Sequence, residues 1–177
     1  MDVSEAAGYM DREGRVRGWL NELAFVPVDY NPEAPADAWS GDRGTGMMYF
    51  SQQAVNKLMP AAGIILPRHL SLTERVAEVQ EMADKGDVRA TKIFETIGVY
   101  LGYAVAHWAD FYDFDDALIL GQLASGKGGQ IAVRKAQSVL KRDFPELAGK
   151  VQLRTPDSST RRVEQAVAAA SLPPLRR

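Results

Sequence analysis

The stretch DALILGQLASGKGGQIAV combines the residue types of a phosphate-binding loop. An apolar run, Ala117 to Leu120, leads into Gly121; after four further residues come Gly126 and Lys127, and a helical pattern follows. A P-loop cradles phosphates with backbone amides and its Lys, and it needs Ser or Thr after the Lys to hold Mg²⁺. Gly128 stands at that position. This argues against a P-loop and leaves open a glycine loop that receives another part of a nucleotide, or a plain tight turn.

Glu22 is the best single candidate for a functional side chain. It lies within an otherwise apolar segment, WLNELAFVPV, which we predict to be part of a strand or a pair of strands from Val16 to Val28. A carboxylate in such a strand must be paired, lie at a sheet edge or face a ligand. A ligand contact and a strand-edge position are therefore the two alternatives.

The remaining polar residues favour structural roles. His69 and His107 have no second His and no Cys at ligand spacing, so we expect no metal site. Asp113, Asp115 and Asp116 precede an apolar run, and we expect them to form turns by accepting hydrogen bonds from nearby backbone amides. We predict no catalytic residue in this chain, since the spacing supports neither a Ser–His–Asp nor a Cys–His arrangement.

Composition excludes several classes of function. The 177 residues carry a net charge of −2, which disfavours nucleic-acid binding through this chain. The sequence has no Cys, no secretory signal pattern and no apolar run approaching the ~20 residues of a membrane span. We therefore expect a soluble, cytoplasmic protein that does not engage a membrane.

The elements that must position these residues are mostly helices. GYMDREGRVRGW predicts a hairpin, and residues 29–46, rich in Pro, Gly and Asp, predict an irregular loop. Ser51 can cap a helix through Met59, and SLTE from Ser71 is a capping box for a helix that Gly86 stops. Asp87 can cap a longer helix, in which apolar residues recur at helical spacing through Trp108.

Gly98 and Gly102 lie four residues apart in this long helix and predict close approach of another backbone, in the core or at a subunit contact. The order of the last four elements predicts a parallel crossover. They are a buried strand from Ala117 to Leu120, a helix from about Gln130 to Arg142, a strand VQLRT and a helix over 161–172. The expected class is α/β, with a mixed sheet covered by helices.

IFETIGVYLGYAVAHWADFYDFDDALILGQLASG resembles the second lobe of the ROK family, named for repressors, open reading frames and sugar kinases. NELAF looks like the family's Gly-Glu-x-Gly-His segment. AWSGDRGTGMMYFS is similar in spacing to its Cys-x-Cys-Gly-x-x-Gly-Cys-x-Glu-x-x-x-Ser motif, with Gly41, Gly44 and Ser51 retained. The resemblance implies a ribonuclease H-like lobe of the actin-like ATPase fold over residues 1–177.

The resemblance also implies ligand positions. Glu22, with its neighbour Asn21, falls on the sugar-binding segment, and Gly121, Gln122 and Gly126 fall on the loop that meets the adenosine end of ATP. Gln122 replaces the second glycine of the family's usual pair. Lys127 would then face solvent.

Departures from the family's pattern limit the expected chemistry. The zinc-binding cysteines fall on Ala38, Ser40 and Thr45 and the zinc- and sugar-binding histidine on Phe25, so we expect no zinc. The second sugar-contacting Glu falls on Met47, which cannot accept a hydrogen bond from a sugar hydroxyl as a carboxylate does.

The family's N-terminal lobe, with its Asp-x-Gly-x-Thr phosphate loop and an Asn-Asp catalytic pair, has no counterpart in these residues. We therefore expect the C-terminal lobe of a sugar-kinase-related protein, inert alone, with ATP and Mg²⁺ binding only when an N-terminal lobe is joined to it. The alternative is a non-catalytic sugar-sensing or dimerisation module of a ROK-type transcriptional regulator. Expected partners are a sugar or sugar derivative, the missing lobe and a second copy of the chain, paired through the helices of residues 87–112.

Overall fold

The computed structural model describes residues 1, 4–18 and 22–155. Two short strands, β1 (Tyr9–Met10) and β2 (Val16–Arg17), precede a 3-10 turn over Leu23–Phe25. Four helices follow: α1 (Met47–Phe50), α2 (Gln52–Leu58), α3 (Leu72–Asp84) and α4 (Val88–Trp108). Then come strand β3 (Asp116–Leu118), a 3-10 turn over Gln122–Ala124, helices α5 (Gly126–Asp143) and α6 (Pro145–Ala148), and strand β4 (Gln152–Arg154). The helix predicted over 161–172 lies outside the described residues.

The predicted hairpin is confirmed as the antiparallel pair β1 and β2. The Asp11 carboxylate organises its turn by accepting hydrogen bonds from the backbone N–H groups of Glu13 and Arg15. Gly14 has a φ of 76°, a conformation that L-residues rarely adopt.

The strand predicted from Val16 to Val28 is wrong at its far end. Leu23–Phe25 form a 3-10 turn because the N–H groups of Phe25 and Val26 bond back to the carbonyl oxygens of Glu22 and Leu23. The N–H of Ala24 is satisfied by the carbonyl of Glu5. Loop residues 29–46 are irregular, as predicted, with isolated bridges between Pro27 and Thr45 and between Ala36 and Arg43.

An α/β chain with small sheets and several helices is confirmed, but one mixed sheet is not. In the described part of the chain the strands form two separate pairs, β1 with β2 and β3 with β4. β3 and β4 are parallel, with Ala117 opposite Leu153, as the predicted crossover requires. The strand predicted as buried is instead half exposed, because Leu118 and Leu120 project outward.

The helix starts follow their capping residues. The Ser51 hydroxyl accepts from the N–H of Gln53 at the start of α2, and the Asp87 carboxylate accepts from Arg89 at the start of α4. Ser71 and Glu74 form the predicted capping box. None of the helices that the structure describes is long and apolar enough to cross a membrane.

Gly98 and Gly102 let α4 pack closely against α5, which confirms their interpretation as core positions. A Cβ on Gly98 would lie 2.7 Å from the Cβ of Lys135, and one on Gly102 would lie 2.6 Å from the Cβ of Val139. Since both glycines face α5 within the chain, they provide no argument for a subunit contact. The homodimer itself stays a prediction.

Candidate functional site

The glycine turn, residues 121–129, is filled by the protein's own atoms. Gly121 has a φ of 102°, and a Cβ there would collide with the carbonyl oxygen of Met1. Met1 is held in place because its ammonium donates to the carbonyl of Leu120 (2.9 Å) and its carbonyl accepts from the N–H of Leu123 (3.3 Å). The backbone of Met1 therefore lies so close to Gly121 that only a glycine fits there.

Gln122 joins an amide network instead of projecting into a cleft. Its carbonyl oxygen accepts from the amide of Gln52 (2.9 Å), and its amide donates to the backbone carbonyl of Thr73 (3.3 Å). The hydroxyl of Thr73 donates to the side chain of Gln52, and the amide of Gln80 donates to the backbone carbonyl of Gln122. The side chain that we predicted to contact adenosine therefore ties the turn to α2 and α3.

Helix α5 begins at Gly126 rather than near Gln130, because the glycines belong to its first turn. The carboxylate of Asp84 on α3 accepts a hydrogen bond from the N–H of Lys127 (3.3 Å). This carboxylate occupies the place at a helix N-terminus where a phosphate oxygen would bind. The contact with Asp84 therefore adds to the absence of a hydroxyl after the Lys as an argument against a P-loop.

Gly128 and Gly129 lie at close packing contacts of α5 that leave no room for a side chain. A Cβ on Gly128 would lie 2.6 Å from the ring of Phe94, and one on Gly129 would collide with the backbone of Ala124. The glycines that gave the sequence its nucleotide-binding character thus let α5 pack against α4 and the preceding 3-10 turn. Adenosine contacts by Gly121, Gln122 and Gly126 stay a prediction.

Glu22 is exposed and stands at the N-cap position of the 3-10 turn over Leu23–Phe25, without a capping hydrogen bond from its side chain; it does not lie within a strand. Its neighbour Asn21 lies outside the described residues. The Glu22 side chain is exposed, and the Phe25 side chain is partly exposed as well. The contact of Glu22 with a sugar stays a prediction.

The loop of residues 29–46 is closed by Asp37, whose side chain is buried among the loop's own donors. The carboxylate accepts hydrogen bonds from the N–H groups of Trp39 (2.8 Å) and Ser40 (2.9 Å) and from the Ser40 hydroxyl. These bonds, with that to the Ser40 hydroxyl the largest cause, hold the pKa of Asp37 below its ordinary value. Hydrogen bonds to one carboxylate thus fix the segment on which the family resemblance placed zinc.

Replacing Asp37 with Ala should open this loop, because three donors lose their acceptor and the loss should cost about 2 to 3 kcal/mol. We expect hydrogen exchange at the N–H groups of Trp39 and Ser40 to accelerate on the order of 30-fold or more. Asp42, whose side chain is exposed in the same loop, provides the matched control, Asp42→Ala. Equal exchange rates in the two variants would contradict the role of Asp37.

The expected turn roles of Asp113, Asp115 and Asp116 are wrong, because these carboxylates form ion pairs. Asp113 binds Arg12 (3.1 Å) and Lys150 (3.0 Å), which fastens the β1–β2 hairpin to the segment before β3. The remaining two pair with basic residues as well, Asp115 with Arg12 and Asp116 with Arg154. Local turn rules could not predict these ion pairs, because the partners lie far apart in the sequence.

Sequence reasoning missed a cation held by tyrosines. The ammonium of Lys57 on α2 lies 3.6 Å from the ring centroid of Tyr49 and 5.1 Å from that of Tyr100. Burial lowers the pKa of Lys57 to about 8, against the attraction of Asp29. Asp29 in turn accepts a hydrogen bond from the Tyr49 hydroxyl. No spacing in the sequence signals this cluster, because its members come from the loop of residues 29–46 and from three different helices, α1, α2 and α4.

A cavity of about 170 Å³ opens beside this cluster. It is lined by Val28, Asp29, Tyr49, Phe50, Tyr100 and Tyr103. In the part of the chain that the structure covers, no group of three His, Cys, Asp or Glu side chains converges to hold a metal ion. His69 is exposed, and His107 stacks edge-on against Phe111 at 5.3 Å.

Comparison with known proteins identifies the fold. No protein-family model matches the sequence, and no curated protein matches it. The chain is similar to the solved structure of a ROK family transcriptional regulator, a homologue of the E. coli MLC protein, with a TM-score of 0.68 and 20% identity. The match covers 88% of this chain and 40% of the regulator's chain, so the chain spans less than half of that protein. The fold of this chain is therefore that of part of a ROK family transcriptional regulator.

Proposed function

We propose that this chain is a ROK family lobe of the ribonuclease H-like, actin-like ATPase class, and that it recognises a sugar without phosphorylating it. Its role is the non-catalytic sensing module of a transcriptional regulator. The shared fold supports the family, and the solved neighbour is itself named a regulator.

The single observation that carries this proposal is the filled glycine turn. Phosphoryl transfer requires nucleotide, metal and acceptor to be positioned together. Here the backbone of Met1 packs on Gly121, and the Gln122 side chain forms hydrogen bonds with Gln52 and Thr73. The Asp84 carboxylate accepts a hydrogen bond from the N–H of Lys127. A nucleotide would have to displace all three sets of contacts, so sensing is favoured over phosphotransfer.

The side chain that we propose as the sugar contact is accessible, in contrast to the filled glycine turn. Glu22 is exposed, and the Asp37 carboxylate closes the following loop by accepting hydrogen bonds from the N–H groups of Trp39 and Ser40. A carboxylate is a strong acceptor for sugar hydroxyls, since charge-assisted hydrogen bonds are about twice as strong as neutral ones. We further propose that the module acts in the cytoplasm, as a homodimer, beside a second lobe.

Titration with D-glucose and N-acetyl-D-glucosamine tests this role by calorimetry. Binding of at least one of these sugars is expected, with Glu22→Gln weakening it about tenfold or more, because a charged acceptor contributes ~1.5 to 3 kcal/mol. Glu33→Gln, an exposed carboxylate in the following loop, should leave the affinity unchanged. Equal affinities for the wild type and Glu22→Gln would remove Glu22 from the sugar site.

A further inference from the structure

The cavity of about 170 Å³ beside the Lys57 cluster has the dimensions of a site for one small ring. Tyr103 in its wall is 47% exposed, whereas Phe50 is fully buried, so the cavity has an open mouth and an apolar floor. Four of its six lining side chains are aromatic: Tyr49, Phe50, Tyr100 and Tyr103. Engineered cavities of about 150 Å³ in protein cores hold one molecule of benzene.

The rings in the wall favour an aromatic ligand over an aliphatic one. Tyr49 and Tyr100 meet edge to face, with ring centroids 5.0 Å apart and an interplanar angle of 77°. Tyr103 packs in the same way against Phe144 at 5.7 Å, which supports the ring at the mouth. Because edge-to-face contacts are favourable beyond the area that they bury, a further aromatic ring gains more here than an aliphatic ring of equal size.

Two charges of opposite sign next to the cavity disfavour an ionic ligand. The carboxylate of Asp29 belongs to the wall and repels an anion. The ammonium of Lys57 lies 3.6 Å from the ring centroid of Tyr49 and repels a cation. Burial lowers the pKa of Lys57 to about 8, so this amine is still mostly charged at neutral pH. A neutral molecule therefore fits the cavity best.

Most polar groups of the wall are already paired within the protein. The Asp29 carboxylate accepts hydrogen bonds from the Tyr49 hydroxyl and from a backbone N–H of its own loop. The Tyr103 hydroxyl donates to the carboxylate of Asp143 (2.7 Å). Among the residues that the structure describes, none forms a hydrogen bond with the hydroxyl of Tyr100. This hydroxyl gives a ligand one polar group to bind.

We propose that this cavity binds a small, neutral aromatic molecule that carries a hydroxyl group, with phenol as the simplest example. The ligand ring packs among the aromatic side chains of the wall, and its hydroxyl forms a hydrogen bond with that of Tyr100. Neither Glu22 nor the glycine turn contributes to the lining. The site is therefore separate from the proposed sugar contact, and its ligand is a second one.

Saturation-transfer NMR and a chemical-shift titration of the whole chain with phenol test this site. We expect phenol to bind with a dissociation constant of about 1 mM or below. Cyclohexanol, which has the size of phenol without its aromatic ring, should bind about fivefold more weakly. Benzoate and benzylammonium should each bind about tenfold more weakly or worse, because Asp29 and Lys57 repel them.

Three variants locate the ligand. Tyr100→Phe should weaken phenol binding about fivefold and leave benzene binding unchanged, because it removes one hydrogen bond and keeps the ring. Val28→Phe, which places a larger side chain in the wall, should abolish the binding of both molecules. Tyr30→Phe changes an exposed tyrosine outside the cavity and should leave both affinities at the wild-type value.

Each outcome decides part of the proposal. Absence of phenol binding to the wild type at about 10 mM would overturn it. Benzoate or benzylammonium binding as tightly as phenol would overturn the selection of a neutral ligand. Unchanged phenol affinity in a folded Val28→Phe protein would place the ligand elsewhere. Thermal melts identify a variant that does not fold, and nuclear Overhauser effects between phenol and the ring of Tyr100 then locate the ligand in the wild type.

Discussion

Replacing Glu5 with Gln is expected to stabilise the protein by about 4 kcal/mol near pH 8 and by little near pH 5. The Glu5 side chain is 3% exposed, and its Oε2 has no hydrogen-bond partner among the described residues. Burial raises the pKa of Glu5 from 4.5 to about 8, and the nearby N-terminal ammonium lowers it only in part. The protein therefore holds an acid that must stay protonated to remain buried.

The sign of the effect follows from the difference between the folded and unfolded pKa values. The folded pKa lies above the unfolded one, so the contribution of Glu5 is fully present below pH 4.5 and is lost as the pH rises through about 8. Gln carries no charge at any pH, so it does not suffer this loss. Gly46 packs directly against the Glu5 carboxyl group, since a Cβ on Gly46 would lie 2.5 Å from Oε2 of Glu5. On this side, therefore, no free space surrounds the carboxyl group.

Urea unfolding at about pH 5 and about pH 8 gives the free energy of unfolding of the wild type and of Glu5→Gln. The difference between the two proteins should be larger at the higher pH. Glu95→Gln, at an exposed position on α4, serves as the control and should show the wild-type pH dependence. Parallel pH dependences for the wild type and Glu5→Gln would show that Glu5 ionises in the folded protein without cost.

The second large effect is expected at the contact between α4 and α5. Gly98→Ala should lower the free energy of unfolding by about 3 kcal/mol, because a methyl group there collides with the carbonyl oxygen of Ala132 and lies 2.7 Å from the Cβ of Lys135. The obstacle is backbone, which cannot move aside as a flexible side chain would. The intrinsic preference of a helix for Ala over Gly, about 1 kcal/mol, is too small to offset the collision.

Gly8→Ala is the matched control, since nothing lies within 4 Å of a Cβ at that position. Chemical denaturation of both variants should show a large loss for Gly98→Ala and almost none for Gly8→Ala. A Gly98→Ala protein as stable as the wild type would mean that α4 and α5 are not packed as closely as described.

The helical part of the fold could be predicted from the sequence because its signals are local. Ser51, Asp87 and the capping box from Ser71 each mark a helix start within four residues, and all three are confirmed. The sheet could not be predicted as well, because strand pairing depends on partners far along the chain. The hairpin reaches the segment before β3 through ion pairs of Arg12 rather than through strand pairing.

The glycine turn shows why the site was harder to predict than the helices. Its glycines match a nucleotide loop in type and spacing, yet their neighbours are Met1, Phe94 and Ala124, none of them close in sequence except the last. Glycine spacing predicts that some group packs closely against the backbone, but it does not distinguish a ligand from the protein's own atoms. In the same way, the tyrosine-lined cavity and the buried Glu5 could be recognised only from the three-dimensional surroundings.

Calorimetric titration of the chain with Mg·ATP and, separately, with N-acetyl-D-glucosamine and D-glucose tests the central claim most directly. A sugar-sensing lobe whose glycine turn is filled by Met1, Gln122 and Asp84 should show heat of binding with a free sugar and none with Mg·ATP. Mg²⁺-dependent binding of ATP at about micromolar concentration, with no response to either sugar, would contradict the account. It would show that residues 121–129 release their own contacts to hold a nucleotide.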